Sequence, residues 1–439
     1  MSNVLRCCGL GRNWAGGQHQ GRHDTLRGRV VRCVFTSIVV TAILPAGWAA
    51  SVRQFGAKGD GRTDDTSALE KAIAKTRSGT LLFPGGTYRI SRTLQLVSNV
   101  TYQGEGSAVL TGTNGGSILA LPYTQPVNIK IVGLTFDGGG LTAQGDPGVY
   151  IRITGNTFRN LIVRSQNWTL RNAIFAAGGF RQSSIDHNVF QNILPNGSTR
   201  PDGSGNSIDD TNTGIMVYGL DATRIENNTF DHVGQGLKVC FAQKYRSRNV
   251  YVGYNVMRYI HRMGMEFQGA TGCGGLKRLL EGPNTEHILI EYNKITDWID
   301  PYWNSFGISF ADPAPEGANG VIIRNNVVIC GPASYWKTEN SKGHYGYGLE
   351  TSGAGLEIYG NIVAGYFEQA ITVWAGSTNA QIHDNYACAR EHEARMEIGE
   401  ETGPSAGARY YNNTVLRSCP TQLPAPTSQP SASAFSLQP

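Results

Sequence analysis

Three charged residues occupy the same place in a short strand pattern that recurs along the chain. The pattern is a small residue followed by alternating apolar and variable residues, and its third position holds Lys238, Glu266 and Glu350 in three copies. Two carboxyl groups held a few ångströms apart can share general acid and general base catalysis, as in the hydrolysis of a glycosidic bond. An ammonium group beside them can bind or polarise the substrate.

The same pattern predicts which side chains share a face. Its second and fourth positions are aliphatic or aromatic and must point into a core, so the third and fifth positions point outward. The copies begin at Gly214, Gly236, Gly264, Gly307, Gly348 and Ala370. The third position then reads Met216, Lys238, Glu266, Ser309, Glu350 and Thr372, and the fifth reads Tyr218, Cys240, Gln268, Ala311, Ser352 and Trp374.

The spacing of the two carboxyls follows if the copies stack as rungs of a parallel sheet. Lys238 and Glu266 are then neighbours, while Glu266 and Glu350 lie two rungs, roughly 9–10 Å, apart at Cα. Side-chain freedom brings such carboxyls within the ~6.5–9.5 Å of inverting hydrolysis, so we predict that they are the acid/base pair and that Lys238 binds the substrate. The alternative is that these are solubilising residues that form a weak cross-rung ion pair.

A second repeat, aliphatic-x-x-Asn-x-apolar, predicts the scaffold. Its Asn residues are Asn156, Asn188, Asn228, Asn255, Asn293, Asn326, Asn361, Asn385 and Asn413. Each unit is expected to be two short strands joined at an Asn that adopts a left-handed φ and hydrogen-bonds to its own copy in the next turn. Stacked units of this kind form an all-β right-handed parallel β-helix, a solenoid. Residues 63–67, followed by apolar residues at helical spacing, predict a short N-terminal capping helix.

Further candidate substrate-binding residues lie near the same strands. We expect Asp210, His232, His261, Arg262 and His344 to line one edge of the groove, since each precedes a copy of the strand pattern. The planar fork of an arginine suits the carboxylate of an acidic sugar. Gln268, at a fifth position of the pattern, is included, and Trp303 and Trp374 complete the set because aromatic faces can stack on sugar rings. For each of these side chains the alternative is a purely structural role.

The segments VRQFGAKGDGRTDDTSALE (residues 52–70) and LFPGGTY (residues 82–88) resemble the N-terminal part of the pectate-lyase-like β-helix superfamily. That superfamily includes polygalacturonases, rhamnogalacturonases and phage tailspike depolymerases, and the resemblance implies the same fold for the mature chain. The superfamily spans hydrolases, lyases and epimerases. Residues 207–210 and 232–236 are the nearest segments to the polygalacturonase signatures, but they do not match them, so those catalytic roles are not transferred.

The combined prediction is a polysaccharide-degrading glycoside hydrolase that uses paired carboxylates and needs no cofactor or metal. One alternative is a lyase or epimerase acting on a uronate-containing glycan. Lys238 would then be the base, and Glu266 with Glu350 would bind Ca²⁺ through oxygen. The adjacent Glu266 would raise the pKa of Lys238, which counts against this assignment. A further alternative is a non-catalytic glycan-binding protein.

The N-terminal residues predict export. Residues 34–46 form an apolar run preceded by arginines and followed by small residues, so residues 1–49 are interpreted as a signal peptide cleaved after Ala49 or Ala50. The run falls short of the roughly 20 residues that span a bilayer. We predict a β-helix domain over residues 50–419, a disordered Pro/Ser-rich tail over residues 420–439, and a secreted or periplasmic monomer without membrane attachment after processing.

The charge of the chain resides in the leader. Arg6, Arg12, Arg22, Arg27, Arg29 and Arg32 stand there against Asp24, which accounts for the formal net charge of +5. The mature chain is therefore neutral, and a nucleic-acid partner loses its electrostatic support. Its cysteines are Cys240, Cys273, Cys330, Cys388 and Cys419, an odd number that fits one or two disulfides in an exported protein.

Overall fold

The computed structural model describes residues 49–162, 168–194, 212–241, 246–269, 285–298, 305–311, 318–330, 346–365, 369–375, 377–389, 398–401 and 405–424. All of them belong to one unit, residues 46–439. The predicted leader, most of the long insertions and the last residues of the predicted tail lie outside this set.

The chain is almost entirely strand, and the strands are numbered here in chain order. Sheet A consists of β1 (Ala49–Ser51), β3 (Gly79–Phe83), β6 (Val100–Gly104), β8 (Val127–Val132), β10 (Gly148–Thr154), β13 (Phe180–Arg181), β14 (Ser184–Asp186), β17 (Leu220–Asp221), β18 (Arg224–Glu226), β20 (Ser247–Gly253), β22 (Thr285–Glu291), β25 (Ala318–Arg324), β28 (Glu357–Tyr359), β31 (Gln381–His383) and β34 (Arg409–Tyr411).

The remaining strands form sheet B, which bends around the coil. Its strands are β2 (Asp60–Asp64), β4 (Gly86–Ile90), β5 (Leu94–Gln95), β7 (Ala108–Ala120), β9 (Thr135–Ala143), β11 (Thr157–Arg159), β12 (Asn172–Ala176), β15 (Val189–Ile193), β16 (Thr213–Tyr218), β19 (Thr229–Cys240), β21 (Val256–Gln268), β23 (Lys294–Trp298), β24 (Ser305–Ala311), β26 (Val327–Cys330), β27 (Gly346–Ser352), β29 (Ile362–Gly365), β30 (Gln369–Trp374), β32 (Tyr386–Ala389), β33 (Ile398–Glu401) and β35 (Thr414–Leu416).

Each strand pairs in parallel with the equivalent strand one coil later, which makes the molecule a solenoid. In sheet A, Ile153 pairs with Ile185, Ile185 with Ile225, and so on along the chain. Inside the coil, the rings of Phe136, Phe158, Phe190 and Phe230 stack with centroids 4.5, 5.1 and 4.6 Å apart. The prediction of a right-handed parallel β-helix with a short N-terminal helix is confirmed.

The N-terminal helix α1 (Thr66–Lys75) buries Leu69, Ala72 and Ile73 against the first coils. Its N-cap residue, Asp65, makes no side-chain cap. The Asp65 carboxylate instead accepts hydrogen bonds from the backbone N–H groups of Lys58 and Gly59, at 2.6 and 3.0 Å. A 3-10 turn (Val52–Phe55) precedes α1, and α2 (Trp168–Arg171) is a single turn. Among the described residues, no helix has the length and apolar character required to cross a membrane.

The asparagine repeat forms the predicted hydrogen-bonded ladder. The Asn255 amide donates to Ile225 O at 2.9 Å and to Asn293 Oδ1 at 3.0 Å, and Asn255 in turn accepts the backbone N–H of Asn228 at 3.0 Å. The expectation of a left-handed φ at these asparagines is wrong. The residue before each Asn has the positive φ, for example 56° at Tyr254 and 53° at Tyr292, because the buried amide must stay aligned with its neighbours.

The cysteines form disulfide bonds. Cys388 is bonded to Cys419, which ties β32 to the segment after β35, and Cys240 is also disulfide-bonded. Cys273 lies outside the described residues. The disulfides fit the expectation for a protein that matures in an oxidising compartment.

Removing one ladder amide is expected to destabilise the whole coil. Asn255→Ala leaves the buried N–H of Asn228 and the carbonyl of Ile225 without their partners, so the free energy of unfolding should fall by about 3–5 kcal/mol in a denaturant titration. The matched control is Gln191→Ala, which removes an exposed amide from β15 and should change stability by less than about 0.5 kcal/mol. Equal losses in the two variants would contradict the role of the ladder.

Candidate active site

The predicted outward positions lie in one column, rung by rung. Cross-strand register aligns Met216, Lys238, Glu266, Ser309, Glu350 and Thr372 on β16, β19, β21, β24, β27 and β30. We refer to these six residues as the outer column. Lys238 and Glu266 occupy neighbouring rungs, and Ser309 alone separates Glu266 from Glu350. The sequence-predicted register is therefore confirmed.

The outer column points away from the core but is shielded from water, contrary to expectation. The exposed fraction is 4% for Lys238, 3% for Glu266 and 8% for Glu350. On the core side of the same strands, Leu237, Met265 and Ile308 are fully buried, as predicted. The polar groups are thus desolvated on the outer side, which excludes the alternative of exposed, solubilising side chains.

A second column helps to cover the first. Gln235, Met263, Phe306, Tyr347 and Gln369 each precede the small residue of the strand pattern and align with one another across the rungs. We refer to them as the corner column. In four of the five rungs the corner residue is followed by a glycine that has no room for a side chain. A Cβ at Gly264 would lie 2.5 Å from Gly307 O and 2.6 Å from Ile295 Cδ1.

The two columns meet through hydrogen bonds. The Gln235 amide donates to Glu266 Oε2, and the Thr372 hydroxyl donates to Gln369 Oε1 at 2.5 Å. None of the corner-column residues was predicted from the sequence. The signal was nevertheless present, because the residue directly before the small residue is large in every one of these copies.

Glu266 is held in its charged form. Burial would raise its pKa, but Lys238, Arg262 and the hydrogen bond from Gln235 together lower it below the usual value. The Lys238 ammonium lies 3.0 Å from Glu266 Oε2 and also donates to Gln268 Oε1 at 3.5 Å. Glu266 is therefore a buried carboxylate stabilised by cationic neighbours.

Glu350 has the opposite electrostatic environment. Burial and, to a smaller extent, the charge of Glu266 raise its pKa from 4.5 to about 8. Hydrogen bonds from the Ser309 hydroxyl, at 3.1 Å, and from Trp374 lower it only in part. Glu350 is consequently protonated at neutral pH. Two carboxyl groups whose surroundings push their pKa values apart are the arrangement found in acid/base pairs.

The aromatic rim of this site comes from three rungs. Phe306 and Tyr347 stack with centroids 5.7 Å apart, and Trp374 packs edge-on against Tyr347 at 5.7 Å. Trp374 is half-buried, so part of its indole ring faces solvent. The structure brings this predicted aromatic residue next to Glu350.

The other predicted residues divide into two groups. Arg262 and His261 are buried, and burial lowers the pKa of His261 to about 4, with a smaller contribution from His232. Strand β21 contains one extra residue at this point, because the register shifts between the pairs Val233–Ile260 and Gln235–Met263. His261 and Arg262 lie in the resulting bulge. That bulge inserts Arg262 close enough to act on Glu266.

His232 is not part of the carboxyl cluster. Its ring is largely exposed, contacts Asp231 Oδ1 at 2.6 Å and stacks on Tyr259 at 4.6 Å. Asp210, Trp303 and His344, which were also predicted to bind substrate, lie outside the described residues. Within the described residues, no group of three or more His, Cys, Asp or Glu side chains could hold a metal ion.

Comparison with protein families places the first part of the chain in a described family. A model of the family described as "Rhamnogalacturonase A/epimerase, pectate lyase-like" matches residues 49–258. This range covers the first coils and β19, which carries Lys238, and it ends before Glu266.

Curated relatives match over short segments. A pre-neck appendage protein of Bacillus phage B103 is 34% identical over 150 residues, which are 30% of this chain and 17% of the relative. A probable glucan endo-1,3-beta-glucosidase of Arthroderma benhamiae is 29% identical over 160 residues, which are 35% of this chain and 17% of the relative. The chain therefore spans about a sixth of the length of these relatives.

Among solved structures, the A-module of a mannuronan C-5 epimerase of Azotobacter vinelandii superposes with a TM-score of 0.54. The sequence identity is 16%, and the alignment covers 84% of this chain and 96% of the module. At this identity the likeness establishes the fold.

Proposed function

We propose that this chain, which belongs to the pectate-lyase-like superfamily of parallel β-helix proteins, is a polysaccharide hydrolase with Glu350 as general acid and Glu266 as general base. The observation that carries the proposal is the opposite protonation of two buried carboxyl groups on one column. Glu350 has a pKa of about 8, while the pKa of Glu266 is lowered by its cationic neighbours.

The proposed chemistry follows from these protonation states. Glu350 gives its proton to the glycosidic oxygen as the bond to the anomeric carbon breaks, and the leaving sugar departs as an alcohol. Glu266 takes a proton from the water that attacks the anomeric carbon. The two residues are two rungs, about 9–10 Å, apart at Cα, which leaves room for that water. The proton lost by Glu350 and the proton gained by Glu266 balance.

Lys238, Gln235 and Arg262 are assigned to positioning. They stabilise the Glu266 carboxylate in one orientation, and the low exposure of the cluster strengthens each of these interactions. Entry of a glycan requires that the outer column be uncovered. Trp374, at its half-exposed edge, is the side chain that a sugar ring would meet first.

A lyase or epimerase is the second candidate, and the description of the matched family favours it. Lys238 would then have to accept the proton next to a uronate carboxylate. Its ammonium group already donates to Glu266 and Gln268, which weighs against that role. A third candidate is a glycan-binding protein without catalysis.

The deciding experiment incubates the mature chain with plant, algal and bacterial polysaccharides while reducing ends and ultraviolet absorbance are recorded together. New reducing ends without absorbance are expected for the proposed hydrolase. An unsaturated product that absorbs and that disappears with a chelator would transfer the assignment to a lyase. Binding without any new reducing end would leave the glycan-binding role.

We also propose that the protein is exported, and the predicted leader and the disulfides support this proposal. The strand β1 begins at Ala49, next to the predicted cleavage position, so the mature N-terminus would lie at the first rung of sheet A. N-terminal sequencing of the chain recovered outside the cytoplasm should begin at residue 50 or 51. Recovery of an uncleaved chain would contradict the leader assignment.

A further inference from the structure

An open cavity lies on the outer face of sheet A. It has a volume of about 430 Å³ and is lined by Lys130, Tyr150, Arg152, Gln182 and Arg224 together with small neighbours. Lys130, Arg152, Ser184 and Arg224 follow one another on successive rungs of β8, β10, β14 and β18. These strands are distinct from those that carry the outer column.

The cavity is electrostatically positive. Its lining includes three cationic side chains and no carboxylate. The nearest carboxylates are already engaged. Glu226 forms a two-pronged pair with Arg224 at 2.7 and 2.8 Å, and Asp186 accepts from Ser184 at 2.9 Å and lies 3.5 Å from Arg152.

The ammonium of Lys130 is the uncompensated charge. It is exposed and has no hydrogen-bond or ion-pair partner among the described residues. The Arg152 side chain is 54% exposed and forms an ion pair with Asp186 at 3.5 Å. Most of its five N–H donors are therefore available to a ligand. Together the two cations present five or more free N–H donors on one side of the cavity.

Tyr150 contributes an aromatic wall. Its side chain is 54% exposed, and its backbone has a φ of 56°, a region that bulky residues rarely adopt. The same position on the flanking rungs holds Asn128 and Gln182, also with positive φ, so this backbone conformation repeats from coil to coil. An exposed Tyr beside two cations offers a stacking face and charge partners to a sugar ring that carries an acidic group.

We propose that this cavity binds an anionic sugar unit of an acidic polysaccharide. The ring stacks on Tyr150, and the acidic group, a carboxylate or a sulfate ester, lies between Lys130 and Arg152. The site is separate from Glu266 and Glu350, and it would hold a strand of glycan on a face that the catalytic column does not occupy.

The test measures calorimetric binding of three oligosaccharides of equal length: oligogalacturonate, a sulfated galactan and a neutral glucan. The protein is the full chain carrying Glu350→Gln, and each ligand is checked to be intact after the titration. We expect Lys130→Gln/Arg152→Gln to lower affinity for the anionic ligands at least about tenfold and to remove one binding site. The matched control Lys294→Gln, an exposed lysine on β23, should change neither quantity.

The remaining arms separate the possible outcomes. Loss of the uronate ligand alone identifies a carboxylate site, and loss of the sulfated ligand alone identifies a sulfate site. Tyr150→Ala should weaken both while Tyr150→Phe should not, which covers the case in which the double variant does not fold. Unchanged affinity and stoichiometry in folded Lys130→Gln/Arg152→Gln would overturn the proposal. Because catalysis is not measured, failure of the hydrolase assignment would leave this result intact.

Discussion

Glu350→Gln is expected to lower kcat about 10²–10⁴-fold and to abolish the decline of activity above about pH 8. The wild-type acid is protonated below its pKa of about 8 and can donate a proton, whereas glutamine cannot. The measurement is a pH–rate profile on the polysaccharide identified in the panel. The matched control is Glu286→Gln, a half-buried carboxylate on β22 of the other sheet, which should retain the wild-type profile.

The same substitution makes a prediction about stability. A carboxyl whose pKa is raised from 4.5 to about 8 on folding binds its proton more tightly in the folded state. Wild-type stability should therefore be complete below about pH 4.5 and fall by roughly 3–5 kcal/mol as pH rises through 8. Glu350→Gln should remove this slope. If the variant keeps the slope, or more than half of the activity, Glu350 is not the acid.

Glu266→Gln is expected to abolish activity and also to destabilise the fold by about 3–5 kcal/mol. Glu266 and Lys238 form an ion pair at 3.0 Å with 4% and 5% of their side chains exposed, so loss of the carboxylate strands a buried ammonium group. Denaturant unfolding of Glu266→Gln, Lys238→Met and the variant that carries both substitutions measures the coupling free energy between Glu266 and Lys238.

Lys238→Met in the Glu266→Gln background separates stability from catalysis. The double variant removes the buried Lys238–Glu266 pair and should recover part of the lost stability, since an apolar replacement of a buried pair is often neutral while Arg262 stays buried nearby. Activity should stay lost, because no base has been restored. A double variant that regains activity would show that Glu266 acts through the fold and not in the reaction.

The sequence was informative about the fold because a solenoid repeats its signals. Nine asparagine copies defined the coil, and the small residue at the start of each strand fixed which positions align. The alignment of Lys238 with Glu266, and of Glu266 with Ser309 and Glu350, follows from counting along the pattern. Helix α1 was likewise readable, although Asp65 uses its carboxylate to bind the preceding loop instead of the helix N-terminus.

The surroundings of the column were less predictable. Outward-facing positions were expected to be open, but they are buried, and Gln235 and Gln369 of the corner column hydrogen-bond to Glu266 and Thr372 of the outer column. The β21 bulge places Arg262 beside Glu266, and it arises from one residue more in this coil than in the preceding one. A repeat pattern describes what the coils share, so it does not predict such a difference. The positive φ was predicted at each ladder Asn but lies at the residue before it. The sequence repeat shows where the buried amide is, but it does not show which neighbouring residue adopts the left-handed conformation.

The single rung that holds Ser309 has a consequence for the stereochemistry of the proposed reaction. In a solenoid, the separation of two residues on one column is a whole number of coils, so it changes only in steps of about 4.8 Å. Deleting the coil that contributes Ser309 would place the two carboxyls on adjacent rungs, near the ~5–5.5 Å of enzymes that retain the anomeric configuration. Gain or loss of one repeat could thus exchange one anomeric outcome for the other without replacing either glutamate.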